Sequence, residues 1–559
     1  MIKKNHSAIA WLIGSLLILM LILPALARPG NRFEVSFPSS LSEEAVTGRL
    51  LLVLSSKETP EPRLTISPYG SPIFGVDVEQ FHPGHTAVID DGTQGYPLES
   101  LKALPAGDYY VQALLNVYTE CKRSDGHTVW VHLDRSLGAP LNVSQGNFYS
   151  EVKKVDFDPQ AGSVVKLELS RVIPQEPMPT DTEWLKHVQI QSDLLTQFWG
   201  QPIYFGATVL LPKGYNSHPD VHYPAVYVFE HRIPFSFSTT PASEAQMTRA
   251  RSAGLKSGYE FFQEWASERF PRFIAITLHQ PTPFFPSSYS VNSANCGPYG
   301  DALLRELIPC LEEQFRIIAK PYARLLEGAS TGGWEALALQ LYHPDYFGGA
   351  WIFNPDPVDF RRYLLVNIYE DDNAFTVPAT EWRSAERPMR RTTEGQVLDT
   401  VRSMSLFEHV LGSRGRSGYQ FGGWEAVFGP VGSGGYPRPL WDKLSGEIDH
   451  DVAAHMRDHG FDLREYASRN WAKIGPEIIG KLNFFAGEMD NFYLNQAVYL
   501  FEDFLRSTTD PHYEGRFEYG RPKKGHNWHL NHLGDMLREM AAHIIERSPA
   551  GEDTKTWNY

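Results

Sequence analysis

One serine in this chain is set where its hydroxyl could attack a carbonyl. Gly328-Ala329-Ser330-Thr331-Gly332 follows the short apolar run Tyr322-Ala323-Arg324-Leu325-Leu326. It precedes Gly333-Trp334-Glu335-Ala336-Leu337-Ala338-Leu339-Gln340-Leu341-Tyr342, which reads as a helix. Strand, sharp turn and helix around Gly-x-Ser-x-Gly is the setting of a nucleophile elbow, in which the turn throws the hydroxyl clear of the sheet. The flanking glycines fit because a Cβ would clash where helix and strand close on each other. No other serine of the chain satisfies the pattern.

Such a serine needs a sheet behind it. Ile203–Leu211, Ala225–Phe229, Phe273–Leu278, Gly349–Phe353 and Leu482–Ala486 are apolar runs of strand length. They alternate with helical patterns such as the amphipathic Asp301–Ile308. This alternation predicts a mainly parallel sheet with helices on both faces, whose site lies at the carboxyl ends of the strands. Between Phe353 and Leu482 runs more chain than one crossover needs. It carries Trp382, Tyr419, Phe421, Trp424, Phe428, Tyr436 and Trp441. This stretch reads either as a cap that shapes the pocket or as a surface elaboration that buries its own aromatics.

The amino-terminal part differs. Leu50–Leu54, Tyr109–Leu114 and Val164–Leu169 are strand-like runs between turn residues, and no long stretch has helical period. This predicts an all-β, sandwich-like domain. Pro174-Gln175-Glu176-Pro177-Met178-Pro179-Thr180 is a proline-rich joint. The expected division is a signal peptide over 1–27, the β-domain over 28–173, the linker over 174–180 and the α/β domain over 181–548. A cap-like insertion is expected over 361–478, with a tail over 549–559.

The leader has Lys3 and Lys4, an apolar run from Ala8 to Pro24, and Ala25-Leu26-Ala27 before Arg28. These are the parts of a cleavable secretory signal, so export to the periplasm or medium is expected. An uncleaved anchor is the alternative, and the only route to a membrane. Three cysteines in 559 residues exclude a disulfide-built scaffold. Whether Cys296 and Cys310 pair or stay thiols is open. A formal charge of −15 argues against nucleic acid or an anionic membrane surface as partner. No Gly-x-Gly-x-x-Gly follows a strand and no phosphate-binding loop of the Gly-x-x-x-x-Gly-Lys type exists, so no cofactor is expected.

Several motifs together resemble one family. Tyr223-Pro224-Ala225-Val226-Tyr227-Val228-Phe229, Pro298-Tyr299-Gly300, Glu327–Gly333, His343-Pro344-Asp345-Tyr346-Phe347 and Gly525-His526-Asn527-Trp528 are similar to those of the esterase D-like esterases. That group of α/β-hydrolases includes enterochelin esterases, feruloyl esterases and S-formylglutathione hydrolases. The resemblance covers roughly 186–360 and 480–545 and omits the insertion. A β-domain ahead of the hydrolase also looks like the enterochelin esterase layout.

The resemblance implies a triad in the chain order serine, acid, histidine. Asp490, in the turn Gly487-Glu488-Met489-Asp490 after Leu482–Ala486, matches the acid, with Glu488 as the fallback. His526 matches the base, with His529 and His532 as competitors. The three-residue spacing of those histidines could suggest metal ligands, but no cysteine or carboxylate joins them at a zinc spacing, so no metal is expected. His82 and His85 read as a loop. In this scheme His526 takes the proton of Ser330, and Asp490 fixes the imidazole. The oxyanion is met by the Thr331 amide, with Arg232 as the second donor. Relatives usually carry His-Gly after the strand that ends here at Phe229, whereas this chain has Glu230-His231-Arg232-Ile233-Pro234. The implied activity is exported hydrolysis of a small-molecule or glycan carboxylic ester. Acyl transfer on the same scaffold and a non-catalytic hydrolase-fold binding protein are the alternatives.

Overall fold

The computed structural model describes residues 30–133, 138–229, 233–252, 255–529 and 533–559. The leader and Glu230, His231, Arg232 and His532 lie outside them.

An eight-stranded sheet carries the site. Its order is Leu185–Gln191, Tyr204–Leu210, Ile274–His279, Ala225–Phe229, Arg324–Ala329, Gly349–Phe353, Leu482–Gly487 and Arg516–Gly520. The first two strands pair antiparallel, Tyr204–Leu210 is antiparallel to Ile274–His279, and every later pair is parallel. Ala225–Phe229 and Gly349–Phe353 are buried along their whole length, as expected of central strands covered on both faces. The expected α/β-hydrolase architecture is borne out, and so is the β-rich part before it. Because the central strands run the same way, the loops after Phe229, Ala329, Phe353, Gly487 and Gly520 all open at one edge.

The amino-terminal strands form one connected ten-stranded sheet. Within the long strand Val46–Ser55 the leucines divide by parity. Leu50, Leu52 and Leu54 enter a core with Phe33, Val35 and Leu167, while Leu51 and Val53 join the core of the hydrolase part. Period-two alternation thus gives the sheet two apolar faces, one closing on its own domain and one resting on its neighbour.

Residues 361–478 fold into two hairpins and the helices Val401–Leu411, Gln420–Phe428, His450–Asp458 and Leu463–Ile478. Phe421, Trp424, Phe428 and Trp441 are buried, whereas Trp382 is 86% exposed at a hairpin tip. The insertion is tied to the β-domain by buried arginines. Arg49 donates to the carbonyls of His409 and Val410 at the end of Val401–Leu411 and to Asp77. Arg416 donates to the Trp130 carbonyl, pairs with Asp77 and lies over the Tyr118 ring. The 549–559 tail is docked as well. Trp557 is buried, and the Tyr559 and Tyr223 hydroxyls are 2.9 Å apart. All three cysteines are free, and Cys310 Sγ accepts a hydrogen bond from Gln314. No described helix is long and apolar enough to cross a membrane.

Arg49→Leu strips the last carbonyls of a buried helix end of their donors and leaves Asp77 with one arginine fewer. A loss of about 3 kcal/mol is expected, read as a lower urea midpoint at unchanged slope.

Candidate active site

The turn at Ser330 is built by close approach. Ser330 has φ 56° and ψ −119°, a strained conformation for a residue with a side chain. A Cβ on Gly332 would lie 1.7 Å from the carbonyl oxygen of Phe229, and one on Gly328 would lie 2.3 Å from that of Gly332. Only glycine fits at either place. The Ser330 amide donates to the Phe353 carbonyl, and the Ser330 carbonyl accepts from the Asp356 amide at 2.9 Å. The turn is therefore bonded to the neighbouring strand and to the loop that follows it. Thr331 opens the helix Thr331–Tyr342, and as its first residue has an amide that no helical carbonyl can serve.

Asp490 and His526 are joined. His526 Nδ1 is 2.7 Å from Asp490 Oδ2, and Asp490 has no exposed surface. The other carboxylate oxygen accepts the amides of Phe492 and Leu494 at 2.8 and 3.1 Å. The His526 amide donates to Asn491 Oδ1 at 2.9 Å, and the Phe492 ring meets the imidazole edge-on. Arg391, from the insertion, donates to the Asp490 carbonyl at 3.0 Å. Burial works against a charged imidazole here. The charge and hydrogen bond of Asp490, with the charge of Asp356, outweigh it and raise the His526 pKa above its usual value. Glu488 faces elsewhere, accepting from the Lys523 amide and lying beside Arg521. His529 packs on Phe353 at 4.4 Å between ring centroids, and burial lowers its pKa to about 4, so it is neutral. His82 and His85 sit together in a turn of the β-domain. Among the described residues no group of His, Cys, Asp and Glu is placed to hold a metal ion.

Ser330, Thr331 and His526 line one cavity of about 730 Å³. Phe229, Phe235, Phe261 and Phe285 give it apolar walls, while Glu335 and Lys256 add polar groups. Burial raises the Glu335 carboxyl to about 8 even though Ser287 donates to it, so it is largely protonated at neutral pH. No described residue of 361–478 lines this cavity. The insertion instead stands behind one wall, with Gly423 packed on the Phe285 ring. Arg232, the expected second oxyanion donor, lies outside the described residues.

Sequence reasoning missed one carboxylate. Asp356 follows the strand Gly349–Phe353 and is 4% exposed. Its Oδ1 accepts the Ser330 hydroxyl at 3.2 Å. Its Oδ2 accepts from Tyr289 at 2.6 Å, from Thr331 Oγ1 at 3.0 Å and from Gln420 Nε2 at 3.0 Å. The available signal was its place, since a loop after a central parallel strand opens at the same edge as the elbow. Among the described residues the Ser330 hydroxyl bonds Asp356, and no hydrogen bond joins it to His526.

An elbow serine and an Asp–His pair at the strand ends of this sheet define a hydrolase-type α/β fold. Residues 204–401 match the family model described as "Putative esterase", in line with the resemblance read from the motifs. No curated protein matches the chain in sequence. Among solved structures, the chain is similar to the fluorophosphonate-binding serine hydrolase F of Staphylococcus aureus, at 14% identity and TM-score 0.31 over 64% of this chain and 98% of that one. It is similar to a ferulic acid esterase of Anaeromyces mucronatus in complex with ferulic acid, at 13% identity and TM-score 0.27 over 63% and 88%. It is also similar to an S-formylglutathione hydrolase of Agrobacterium tumefaciens, at 11% identity and TM-score 0.30 over 66% and 98%.

A base must be neutral to accept a proton, so a raised His526 pKa puts the acid limb of any Ser330 reaction above about 6.5. Asp490→Asn removes the main support of the charged form. That limb is expected to move to lower pH while the rate falls by about 10⁴-fold, measured as inactivation by a fluorophosphonate across pH 5–9.

Proposed function

We propose that this protein is an exported serine esterase that hydrolyses a carboxylic ester through an acyl-enzyme on Ser330. The observation that carries the reading is the Asp490–His526 hydrogen bond beside a strained elbow serine in one shared cavity. His526 takes the Ser330 proton as Oγ adds to the acyl carbon. The tetrahedral oxyanion turns to the Thr331 amide at the start of the helix, where the helix dipole is positive. The charged imidazole, held by Asp490, returns the proton to the leaving alkoxide as the ester C–O bond breaks. Water then enters by the same route in reverse. The apolar walls fit an apolar or aromatic portion of a small-molecule or glycan ester. Export rests on the leader's composition alone.

The test is a fluorophosphonate probe with the mature chain from Arg28, wild type beside Ser330→Ala, together with a panel of acyl esters. Labelling and ester turnover are expected in the wild type, with both lost in the variant at unchanged melting temperature. A folded wild type that takes no label and turns over no ester overturns the reading in favour of a binding protein. Acylated product formed from an added acceptor alcohol, in place of free acid, assigns acyl transfer.

A further inference from the structure

A carboxylate that grips the nucleophile is unusual furniture for a triad. Asp356 is buried, and several hydrogen-bond donors converge on it. The Tyr289 hydroxyl donates to it at 2.6 Å and itself accepts from Trp424 Nε1 at 2.6 Å and Gln420 Nε2 at 2.5 Å. Gln420 and Trp424 also reach the carboxylate directly, at 3.0 and 3.4 Å. Both belong to the helix Gln420–Phe428 of the insertion. That helix is fixed in turn by Glu408, whose carboxylate accepts the Phe421 and Gly422 amides at its amino end at 2.8 and 2.7 Å. So many donors on one buried group stabilise the ionised carboxylate. Its hydrogen bonds from Ser330 and Thr331 place that charge at the reacting atom.

We propose that Asp356 is a second catalytic carboxylate, which holds the Ser330 hydroxyl between turnovers and then stabilises the imidazolium of His526 alongside Asp490. The proposal rests on the serine-hydrolase reading and deepens it. When substrate enters, the Ser330 O–H turns from Asp356 Oδ1 to His526 Nε2. The Oγ–C bond forms as the proton passes to Nε2 and the carbonyl π pair moves to oxygen. The oxyanion pair then re-forms the carbonyl as the ester C–O bond breaks, and the leaving oxygen takes the proton from Nε2. Asp356 gains and loses no proton in this cycle; it exchanges a hydrogen bond for a charge interaction. Burial leaves its own pKa above the usual carboxylate value, although its donors and the His526 charge oppose that rise. His526 is faced by Asp490, by Asp356 and by Arg390 of the insertion hairpin, with neutral His529 on its own loop. Asp356 is faced by His526, Tyr289, Tyr363 and the protonated Glu335. Asp490 and Asp356 are thus the two carboxylates that face His526 among these described groups.

The experiment is a titration of His526 by NMR of histidine-labelled protein, its resonance assigned by loss in His526→Gln. It is paired with the pH profile of fluorophosphonate labelling. Wild type is compared with Asp356→Asn and with Tyr289→Phe, which keeps the carboxylate but removes its shortest donor. In Asp356→Asn the His526 midpoint and the labelling midpoint are both expected to fall by about one pH unit. In Tyr289→Phe both are expected to fall less, as Asp356 becomes easier to protonate. Slower labelling with both midpoints unmoved in both variants overturns the proposal and leaves Asp356 a packing residue. If Asp356→Asn does not fold, Tyr289→Phe decides alone by the same criterion. A wild type that never takes label overturns the hydrolase reading and the catalytic role with it. A fall in the His526 titration would in that case still establish the charge coupling.

Discussion

Everything at the site depends on how closely a helix is allowed to approach a strand. The α-carbon of Gly332 sits so near the Phe229 carbonyl that no side chain fits between them. That approach forces Ser330 into its strained turn and points the helix amino terminus at the cavity. Parallel pairing does the rest. Strands that run the same way discharge their loops at one edge, and the groups after Ala329, Phe353, Gly487 and Gly520 meet there without any being near another in sequence. The strain at Ser330 is carried by backbone bonds to Phe353 and Asp356, so the conformation that costs energy locally is held by the sheet beside it.

Much of this was legible because it follows from short-range rules. Apolar runs of five or six residues marked the central strands, and Ala225–Phe229 and Gly349–Phe353 fall where the pattern put them. The elbow announced itself by its glycines. Less was legible where meaning arises only from assembly. Asn354-Pro355-Asp356 reads as an ordinary loop, and nothing in its neighbourhood signals that its carboxylate will meet donors from residues 289, 331 and 420. The aromatics of the insertion suit a pocket lid, the reading slightly favoured by their pattern, as well as a private core. Phe421, Trp424 and Trp441 take the second course, while Trp424 also reaches the site from behind. The tail follows the last helix, Leu533–Arg547, yet Trp557 is seated in the main core.

Electrostatically the site separates its acids by surroundings. Asp490 is met by two backbone amides and an imidazole, and Asp356 by hydroxyl, amide and indole donors. Glu335 has only serine hydroxyls against its burial and takes up a proton. Of three buried carboxyls near one cavity, two are met by several donors and face the imidazole, while the third is a neutral group.

The arginine ties between the β-domain and the insertion have a consequence for the protein as a machine. The helix that reaches Asp356 continues from a segment clasped by Arg49 and Arg416 against the amino-terminal sheet. The surroundings of Asp356 therefore reach beyond the hydrolase sheet. A fragment cut at the proline joint would keep Ser330, Asp490 and His526 but lose the abutment against which their neighbour is braced. The two-part layout makes the first domain a brace for the candidate site in the second.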